Sequence, residues 1–365
     1  MDILLFVLGL VLLVGLVVLH EFGHAIAARR NGVVVEEFGI GFPPKAWGRK
    51  LKNGTLFTLN WLPIGGFVKL KGEHDSAQGP GTYGGATLWV KTKILLAGVL
   101  VNWVTAIIIF SILALVGMPK ILPNQFAVAG DNHVTQGVVG VYEVVEGSPA
   151  AKAGLQNDDI IVRLAGGEVT SAAEFPALTQ KHAGQTVDLE YKRGDETKFT
   201  SVTLNKDRAA GQGFLGITPS QESPTIQRAT WSAPIVGAAA TIQFTAETFK
   251  GLGTTVANLF TAKFQEAGAN VAGPVGIITI MKDSSTAGIV PVLFLLGIIS
   301  LTLAVMNVLP IPALDGGRLF VTLLFREFNK PLTEKREEAI QATGFLVLML
   351  LVIVITVVDV QRTFF

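Results

Sequence analysis

Long apolar runs separated by shorter polar stretches dominate the hydrophobic pattern of this chain. Four runs approach the ~20 residues with which a helix crosses a lipid bilayer. They lie in the segments 1–32, 94–117, 290–325 and 343–362. The pattern therefore predicts four transmembrane helices, the third of which ends in a sequence rich in proline and glycine.

Between the second and third runs the pattern changes to short alternating segments separated by turn residues. Val138–Val145 alternates and is followed by Gly147, Ser148 and Pro149, which predicts a compact β-rich domain over 125–221. The stretch 148–161, with its Ser-Pro-Ala-Ala helix start and Asp-Asp-Ile-Ile strand, resembles the helix-turn-strand of PDZ domains. Residues 172–183 are then expected to form the helix beside the peptide groove, and residues 186–205 the closing strands.

Two further segments carry weaker patterns. Residues 33–72 alternate around an Asn53-Gly54 turn, which predicts a membrane-associated β-hairpin, followed by a cytoplasmic loop over 73–93. Residues 230–285 predict an amphipathic helix and a connector at the outer membrane surface. A fifth span near 233–260 is the alternative, but Gln243, Glu247 and Lys250 favour the surface helix.

Composition supports the membrane assignment. The 365 residues are 50% hydrophobic and only 16% charged, with a mean hydropathy of +0.51, which is too apolar for an ordinary soluble protein. A signal peptide is the competing explanation of the first run, but Asp2 is the only charge before it, and a basic n-region is absent. The net charge of +1 gives no indication of a nucleic-acid partner.

The distribution of positive charge predicts the topology. The segment 28–93 holds ten Lys and Arg against four acidic residues, and four more basic residues follow the third run at 326, 330, 335 and 336. By the positive-inside rule both segments are cytoplasmic. The segment 118–289 and both termini are then extracytoplasmic, in a multi-pass membrane protein.

The first run ends in His20-Glu21-Phe22-Gly23-His24. On a helix the two histidines lie four residues apart on the same face and offer two ring nitrogens to one metal ion, with Glu21 beside them to handle protons. Ionisable residues within a membrane-length run are expensive and indicate function. The motif therefore predicts a zinc hydrolase site rather than two histidines at a solvent-facing helix end.

Elimination indicates a carboxylate as the third ligand. The chain has no cysteine, and its other histidines, at 74, 133 and 182, lie in polar surroundings. The third run ends in Asn-Val-Leu-Pro-Ile-Pro-Ala-Leu-Asp-Gly-Gly over 307–317, where Pro310 and Pro312 must break the helix. Irregular backbone at membrane depth is tolerated only inside protein or beside a watery cavity. Asp315 is thus the predicted third ligand of an open Zn²⁺ site.

Two asparagines are candidates for binding the substrate carbonyl or oxyanion. Asn307 lies about two turns before Asp315, and Asn102 lies in the second run. An amide donor at either position suits a hydrolase. An interhelical hydrogen bond is the alternative for each.

The chain resembles the site-2 protease family of intramembrane zinc metalloproteases, and most closely its regulator of sigma-E protease branch. The resemblance rests on His-Glu-Phe-Gly-His at 20–24, the small-residue run ending in Asn102, one PDZ-like domain, Gly-Pro-Val-Gly-Ile at 273–277, and the 307–317 motif. The chain departs from the family pattern in two respects. Val99 follows Gly98 in the second run, where the family commonly has proline. The chain also has a single PDZ-like domain, where a known relative has two.

The resemblance implies zinc ligands His20, His24 and Asp315, the acid/base Glu21, and Asn102 and Asn307 near the substrate. It implies cleavage of single-pass transmembrane proteins, of anti-sigma factor or remnant signal peptide type, after another protease has shortened them. The hairpin would guide the unwound substrate, and the PDZ-like domain is expected to bind a peptide or to act as a size filter. Membrane lipid is the remaining expected partner.

The predicted fold class is a membrane protein with a mainly α-helical four-span core, an inserted extracytoplasmic PDZ-like α+β domain and a cytoplasmic-side β-hairpin. A non-catalytic PDZ scaffold with a structural or vestigial zinc site is the alternative function. It is disfavoured because structural zinc usually has four protein ligands. A metal transporter is a second alternative, but the other spans offer almost no ligands along a path.

Overall fold

A computed structural model describes residues 2–207, 213–261 and 272–364 of the chain. The chain divides into two compact units, one formed by residues 1–113 and 233–365 and the other by residues 114–232. Within the described residues the helices are α1 (Asp2–Arg30), α2 (Leu88–Val116), α3 (Pro149–Lys152), α4 (Phe175–Lys181), α5 (Ala233–Phe260), α6 (Pro274–Ala287), α7 (Ile289–Val308), α8 (Asp315–Glu327) and α9 (Glu334–Phe364).

Four helices of the first unit, α1, α2, α7 and α9, are long and apolar enough to cross a membrane. Their outward faces are apolar as well as their packed faces; Leu346, Val347 and Leu350 of α9, for example, are all exposed. A helix that is hydrophobic all round is stable only when lipid or protein surrounds it. The four apolar runs of the sequence therefore correspond to four apolar helices of the structure.

The third predicted segment, 290–325, forms two helices. Helix α7 ends at Val308, and α8 begins at Asp315. Between them Pro310 and Pro312 cannot donate the backbone hydrogen bonds that a continuing helix requires. Helix α9 begins at Glu334, nine residues before the predicted start of the fourth run at 343, because its first turns are polar and pack on protein through the buried Glu337.

The segment 230–285, predicted as an amphipathic helix and a connector, contains helices α5 and α6, while its residues 262–271 lie outside the described residues. Helix α5 packs along α2 in the reverse direction. Gly237 lies against Ser111, Phe244 against Phe110 with ring centroids 5.1 Å apart, and Trp103 Nε1 donates to Thr245 Oγ1 at 3.2 Å. The first half of α5 thus runs beside the span, in contrast to the prediction of a helix at the membrane surface. The small residue Gly237 permits this close approach.

The hairpin consists of β1 (Val35–Lys50) and β2 (Leu56–Leu70), joined through Gly54 with φ +88°. Both strands bend, so that the first half of β1 lies between the two halves of β2. Phe38 accordingly pairs with Phe57 on one side and with Val68 on the other. The Gly66–Leu70 arm has a neighbour on one side only within this sheet, which leaves it an edge strand.

The second unit contains two small sheets. One has the strand order β10-β5-β6-β8-β9 with β7 beside β6, and the other has the order β3-β11-β4. The strands are β3 (Met118–Pro119), β4 (His133–Thr135), β5 (Val138–Val144), β6 (Ile160–Leu164), β7 (Gly167–Glu168), β8 (Thr186–Arg193), β9 (Glu196–Thr203), β10 (Ile217–Ser223) and β11 (Ile226–Arg228). Its core joins alternate strand residues such as Val139, Ile161 and Leu189 to Phe175 of α4.

Polar contacts fix the turns of this second unit. Ser148 Oγ accepts from Ala151 N at 3.1 Å and caps α3, while Asp159, fully buried, forms two 2.7 Å contacts with Arg193. Asp131 accepts hydrogen bonds from the backbone and hydroxyl groups of Thr230 and Ser232. These hydrogen bonds hold the pKa of the Asp131 carboxyl well below its usual range. Residues 208–212 of the predicted 125–221 domain lie outside the described residues.

Candidate metal centre

Helix α1 places His20 and His24 one turn apart on a single buried face. The two residues are 7% and 8% exposed, and their Nε2 atoms lie 3.1 Å apart. The i, i+4 spacing aligns the two side chains along the helix. Two ring nitrogens therefore point at one spot inside the first unit.

The start of α8 brings the Asp315 carboxylate to the same spot. Asp315 Oδ2 lies 3.0 Å from His20 Nε2 and 3.3 Å from His24 Nε2. The break before α8 is packed so tightly that a Cβ on Gly316 would lie 2.2 Å from the Val308 carbonyl oxygen. One on Gly317 would lie 1.9 Å from the Ile311 carbonyl oxygen. The two glycines are thus required for α8 to begin where it does.

The three ligand atoms fit a tetrahedral zinc ion. Zinc binds nitrogen and oxygen at about 2.0–2.1 Å, so two ligand atoms on a tetrahedron are about 3.3 Å apart. The observed separations among His20 Nε2, His24 Nε2 and Asp315 Oδ2 are 3.0, 3.1 and 3.3 Å. Two imidazoles and one carboxylate leave the fourth position open, as in catalytic zinc sites.

Contacts behind the histidines fix the ring orientation that a metal ligand needs. His24 Nδ1 lies 2.7 Å from the Ile94 carbonyl oxygen and donates to it, which leaves Nε2 free. The amide of Asn102, fully buried, lies 3.3 Å from His20 Nδ1. When the amide is oriented with Oδ1 towards His20, Oδ1 accepts a hydrogen bond from the Nδ1–H of His20. His20 then has the same tautomer as His24, with Nε2 unprotonated. In the observed orientation Oδ1 has no hydrogen-bond partner within the described segments.

Gly98 of α2 allows the two histidine rings to sit against that helix. Ile94, Gly98 and Asn102 are four residues apart and line one face of α2. A Cβ added to Gly98 would lie 2.6 Å from both His20 Cε1 and His24 Nε2. No side chain fits there unless a ligand ring moves.

Gly98→Ala should therefore weaken zinc binding, because the new methyl group displaces at least one ligand ring. We expect zinc affinity to fall by roughly 10–100-fold, the range found when a group that orients a ligand is lost. Metal content after dialysis against a graded zinc buffer measures this. Gly15→Ala in α1 is the matched control, since a Cβ there meets nothing within 4 Å. Equal zinc retention by both variants would show that Gly98 does not constrain the rings.

Glu21 lies beside the ligands without belonging to their cluster. Its side chain is within electrostatic reach of His20, His24 and Asp315 and lies against the backbone of Val68 in β2. Its Cγ would lie 3.5 Å from a Cβ placed on Gly66. The edge arm of the hairpin therefore passes directly beside the Glu21 carboxylate.

The two predicted substrate-binding amides have different surroundings. Asn102 lies behind His20. Its backbone carbonyl oxygen accepts a hydrogen bond from Ser300 Oγ of α7 at 2.8 Å. Asn102 therefore links α2 to both α1 and α7. Asn307 donates from Nδ2 to the Leu303 carbonyl oxygen one turn earlier in its own helix, at 3.0 Å. The structure thus brings His20, His24 and Asp315 into mutual contact, places Asn102 against His20 and leaves Asn307 on α7.

Sequence reasoning missed a buried charged network behind Asp315. Arg318, one turn after Asp315, contacts Glu337 of α9 at 3.2 Å and donates to the Glu73 carbonyl oxygen. Its guanidinium lies 4.8 Å from the Tyr83 ring centroid. The network continues through an ion pair between Asp75 and the fully buried Lys91. The clue in the sequence is the run of charged residues at 73–75 next to a membrane segment.

Tyr83 forms the centre of this network. Its side chain is 1% exposed, and its hydroxyl has no hydrogen-bond partner among the described residues. Burial raises the pKa of the Tyr83 hydroxyl, which keeps it neutral. The cations of Arg318, on α8, and Lys91, on α2, thus both lie close to this one ring.

A cavity of about 390 Å³ reaches the metal centre from the side of α8 and α9. Asp315, Arg318, Gln341 and Phe345 are among the residues that line it. Asp315, Arg318 and Gln341 provide hydrogen-bond partners for water there, which a buried hydrolytic site requires. The other three histidines do not belong to this centre. His133 is exposed, and His182 Nδ1 lies 3.1 Å from Gln185 Oε1. His74 lies 3.3 and 3.8 Å from Glu334 and Glu338, both about 60% exposed.

Comparisons with known proteins agree on one family. The sequence profile described as Peptidase family M50 matches residues 8–351. A protein of Clostridium perfringens, provisionally named a zinc metalloprotease, is 34% identical over 94% of this chain and 95% of its own length. The zinc metalloprotease RasP of Shouchella clausii is 29% identical over 96% and 97% of the two chains. The regulator of sigma-W protease RasP of Bacillus subtilis is 26% identical over 96% of each.

Among solved structures, a PDZ domain of an SdrC-like protein from Listeria monocytogenes is 30% identical over 22% of this chain and 85% of its own, with a TM-score of 0.20. The corresponding domain from Listeria innocua is 29% identical over 24% of this chain and 97% of its own, with a TM-score of 0.21.

Proposed function

Because this chain belongs to peptidase family M50, the site-2 zinc metalloproteases, we propose that it hydrolyses peptide bonds within the transmembrane segments of single-pass membrane proteins. The observation that carries the proposal is the convergence of His20, His24 and Asp315 beside Glu21. The histidines and Glu21 lie within a helix that is apolar enough to cross a membrane. This position supports hydrolysis at the depth where the scissile bond of a membrane helix would lie.

The roles of the individual residues follow from their positions. His20, His24 and Asp315 would hold Zn²⁺, which polarises a carbonyl and lowers the pKa of a bound water to about 7. Glu21 takes the proton of the attacking water at its carboxylate and then delivers it to the departing amine nitrogen. Asn102 orients His20. Asn307 remains a candidate donor to the substrate carbonyl, for which its half-buried position on α7 leaves room.

The depth of the site follows from the length of α1. Nine residues separate His20 from Arg29, which is about 13 Å of helix at 1.5 Å per residue. With the basic segment 28–93 on the cytoplasmic side, the centre lies below the inner surface of a hydrocarbon core ~30 Å thick. Both termini and the segment 118–289 are then extracytoplasmic, in a multi-pass inner-membrane protein.

The edge arm of the hairpin suits an unwound substrate. A peptide bond within a helix is protected by its own hydrogen bonds, so the substrate must become extended before attack. The Gly66–Leu70 arm has an unpaired edge within its sheet and lies beside Glu21. An extended segment that adds to this edge would bring its carbonyl groups to the site. Glycine or proline in the substrate span would lower the cost of unwinding.

The substrate class we propose is anti-sigma factors or remnant signal peptides already shortened by another protease. One relative is named a regulator of sigma-W protease, which supports a regulatory membrane substrate. We further propose that the second unit binds an extended peptide between α4 and the edge strand β10, since β10 ends its sheet. The alternative, a non-catalytic scaffold, is disfavoured because the described part of the chain supplies three ligands to this cluster, whereas structural zinc usually has four.

Metal removal tests the proposed function. The purified full chain is reconstituted into vesicles with a single-span protein whose membrane segment contains glycine and proline. We expect 1,10-phenanthroline to abolish cleavage and added Zn²⁺ to restore it, with the new ends mapped by mass spectrometry inside the span. Cleavage that persists after complete removal of zinc would contradict a zinc protease. A zinc-loaded protein that cleaves none of a panel of such substrates would favour the scaffold.

A further inference from the structure

An apolar groove of about 800 Å³ lies between α1 and α2, outside the metal centre. Ligand pockets in proteins occupy about 300–1,000 Å³. The deeper part is lined by Gly23, Ile26, Ala27, Leu96, Leu100 and Val308. A ligand in this part of the groove would contact almost exclusively apolar side chains.

The opposite end of the groove is basic and aromatic. Arg30 and Asn31 close α1 there, and Trp89 and Lys93 open α2. Lys93 Nζ lies 5.3 Å from the Trp89 ring centroid, and Trp89 is 67% exposed. Within residues 2–207, 213–261 and 272–364, no carboxylate lies within ion-pair distance of Arg30 or Lys93. Two cations without counter-charges at one opening favour an anionic ligand.

The order of these features matches the depth profile of a bilayer. Arg30 and Lys93 lie at the ends of two apolar helices, at the level where headgroups begin, and tryptophan is enriched at that interface. Below them the groove is apolar, as the acyl chains are. Basic pockets between transmembrane helices are recognised binding sites for anionic lipid headgroups.

We propose that this groove binds an anionic phospholipid of the surrounding bilayer. The phosphate lies between Arg30 and Lys93, and one acyl chain follows the apolar part of the groove. A substrate peptide fits less well, because each of its N–H and C=O groups would need a partner that the apolar lining does not supply. An acyl chain needs no such partner.

Part of the groove is lined by the contact between α1 and α2 that positions the metal ligands. A Cβ on Gly23 would lie 2.8 Å from the Ala97 carbonyl oxygen, and the next residue, Gly98, faces the rings of His20 and His24. A chain in the groove packs against this same contact of α1 with α2. Bound anionic lipid therefore stabilises the arrangement of the ligands. This inference goes beyond peptide hydrolysis, and its binding test requires no catalysis.

Native mass spectrometry of the full chain in detergent tests the site, with phosphatidylglycerol or phosphatidylcholine added in equal amounts. We expect phosphatidylglycerol to be retained and to raise the melting temperature, and phosphatidylcholine to do neither. Arg30→Gln with Lys93→Gln should lower the affinity for phosphatidylglycerol by roughly 30-fold, at about fivefold per basic residue near an anionic surface.

Two further variants separate the groove from general surface charge. Lys330→Gln with Lys335→Gln removes the same charge from exposed positions outside the groove and should leave binding unchanged. Leu100→Trp narrows the apolar part while keeping both cations and should reduce binding. Equal retention of both lipids, equal loss in the two double variants, or full binding by Leu100→Trp would each overturn the proposal. Displacement of the lipid by inorganic phosphate alone would also overturn it, because the site would then be an ion site.

Discussion

Glu21→Gln is expected to abolish cleavage of a co-expressed membrane substrate while zinc binding and folding persist. Glutamine has nearly the same shape as glutamate, so it preserves the packing against Val68 and Gly66. It cannot accept and return a proton at pH 7. A positioned acid/base contributes roughly 10²–10⁴-fold to a rate, and we expect a loss at the upper end of that range.

The measurements for this variant are the rate of product formation and the zinc content of the same preparation. Glu36→Gln is the control, because Glu36 lies exposed on β1 with only a loose 3.8 Å contact to Lys69. It should cleave at the parental rate. A Glu21→Gln variant that retains zinc and cleaves within about threefold of the parental rate would remove Glu21 from the mechanism. Natural substrates would be identified as shortened membrane proteins that co-purify with this variant because they remain uncleaved.

Asp315→Asn is expected to remove most of the bound zinc and, with it, the activity. The carboxylate is the only negative charge among the three ligands, and a neutral amide oxygen binds zinc far more weakly. Loss of an outer partner already costs about 10–100-fold in metal affinity. Loss of this direct ligand should therefore exceed 100-fold.

Thermal unfolding gives a second readout that does not depend on activity. Zinc that binds the folded state raises the melting temperature, and the stabilisation grows with the logarithm of the ratio of zinc concentration to Kd. Added zinc should therefore stabilise the parental chain and leave Asp315→Asn nearly unchanged. Asp283→Asn, at an exposed position on α6, should respond like the parental chain. If Asp315→Asn binds zinc with parental affinity, the third ligand lies elsewhere and the proposed centre is wrong.

The four apolar helices and the motif-bearing residues could be predicted from the sequence because each depends on neighbours within a few positions. Apolar runs of ~20 residues are long enough to cross a bilayer as helices, and this can be seen from the run alone. The i, i+4 spacing places His20 and His24 on one face of any helix. Pro310 and Pro312 disfavour a continuous helix. The sequence therefore indicated a break just before Asp315, which made this carboxylate a candidate ligand.

Other features depended on contacts between residues distant in sequence. The course of α5 beside α2 comes from Gly237 fitting against Ser111, and no local pattern distinguishes that from a helix at the surface. The double pairing of Phe38 with Phe57 and Val68 requires both strands to bend, which alternation alone does not indicate. Asn102 was predicted to face substrate or to bond between helices, and only the packed helices place its amide behind His20.

By itself, then, the sequence determined that this protein crosses a membrane and carries an imidazole pair, a glutamate and an aspartate suited to zinc. The tertiary structure decided that these groups meet. The contact between His20 and Asp315 joins residues 295 positions apart, and it forms only because Gly98, Gly316 and Gly317 let helices and turns approach within backbone contact. Such contacts depend on the shapes of several elements at once, whereas a helix depends on its own residues and its solvent.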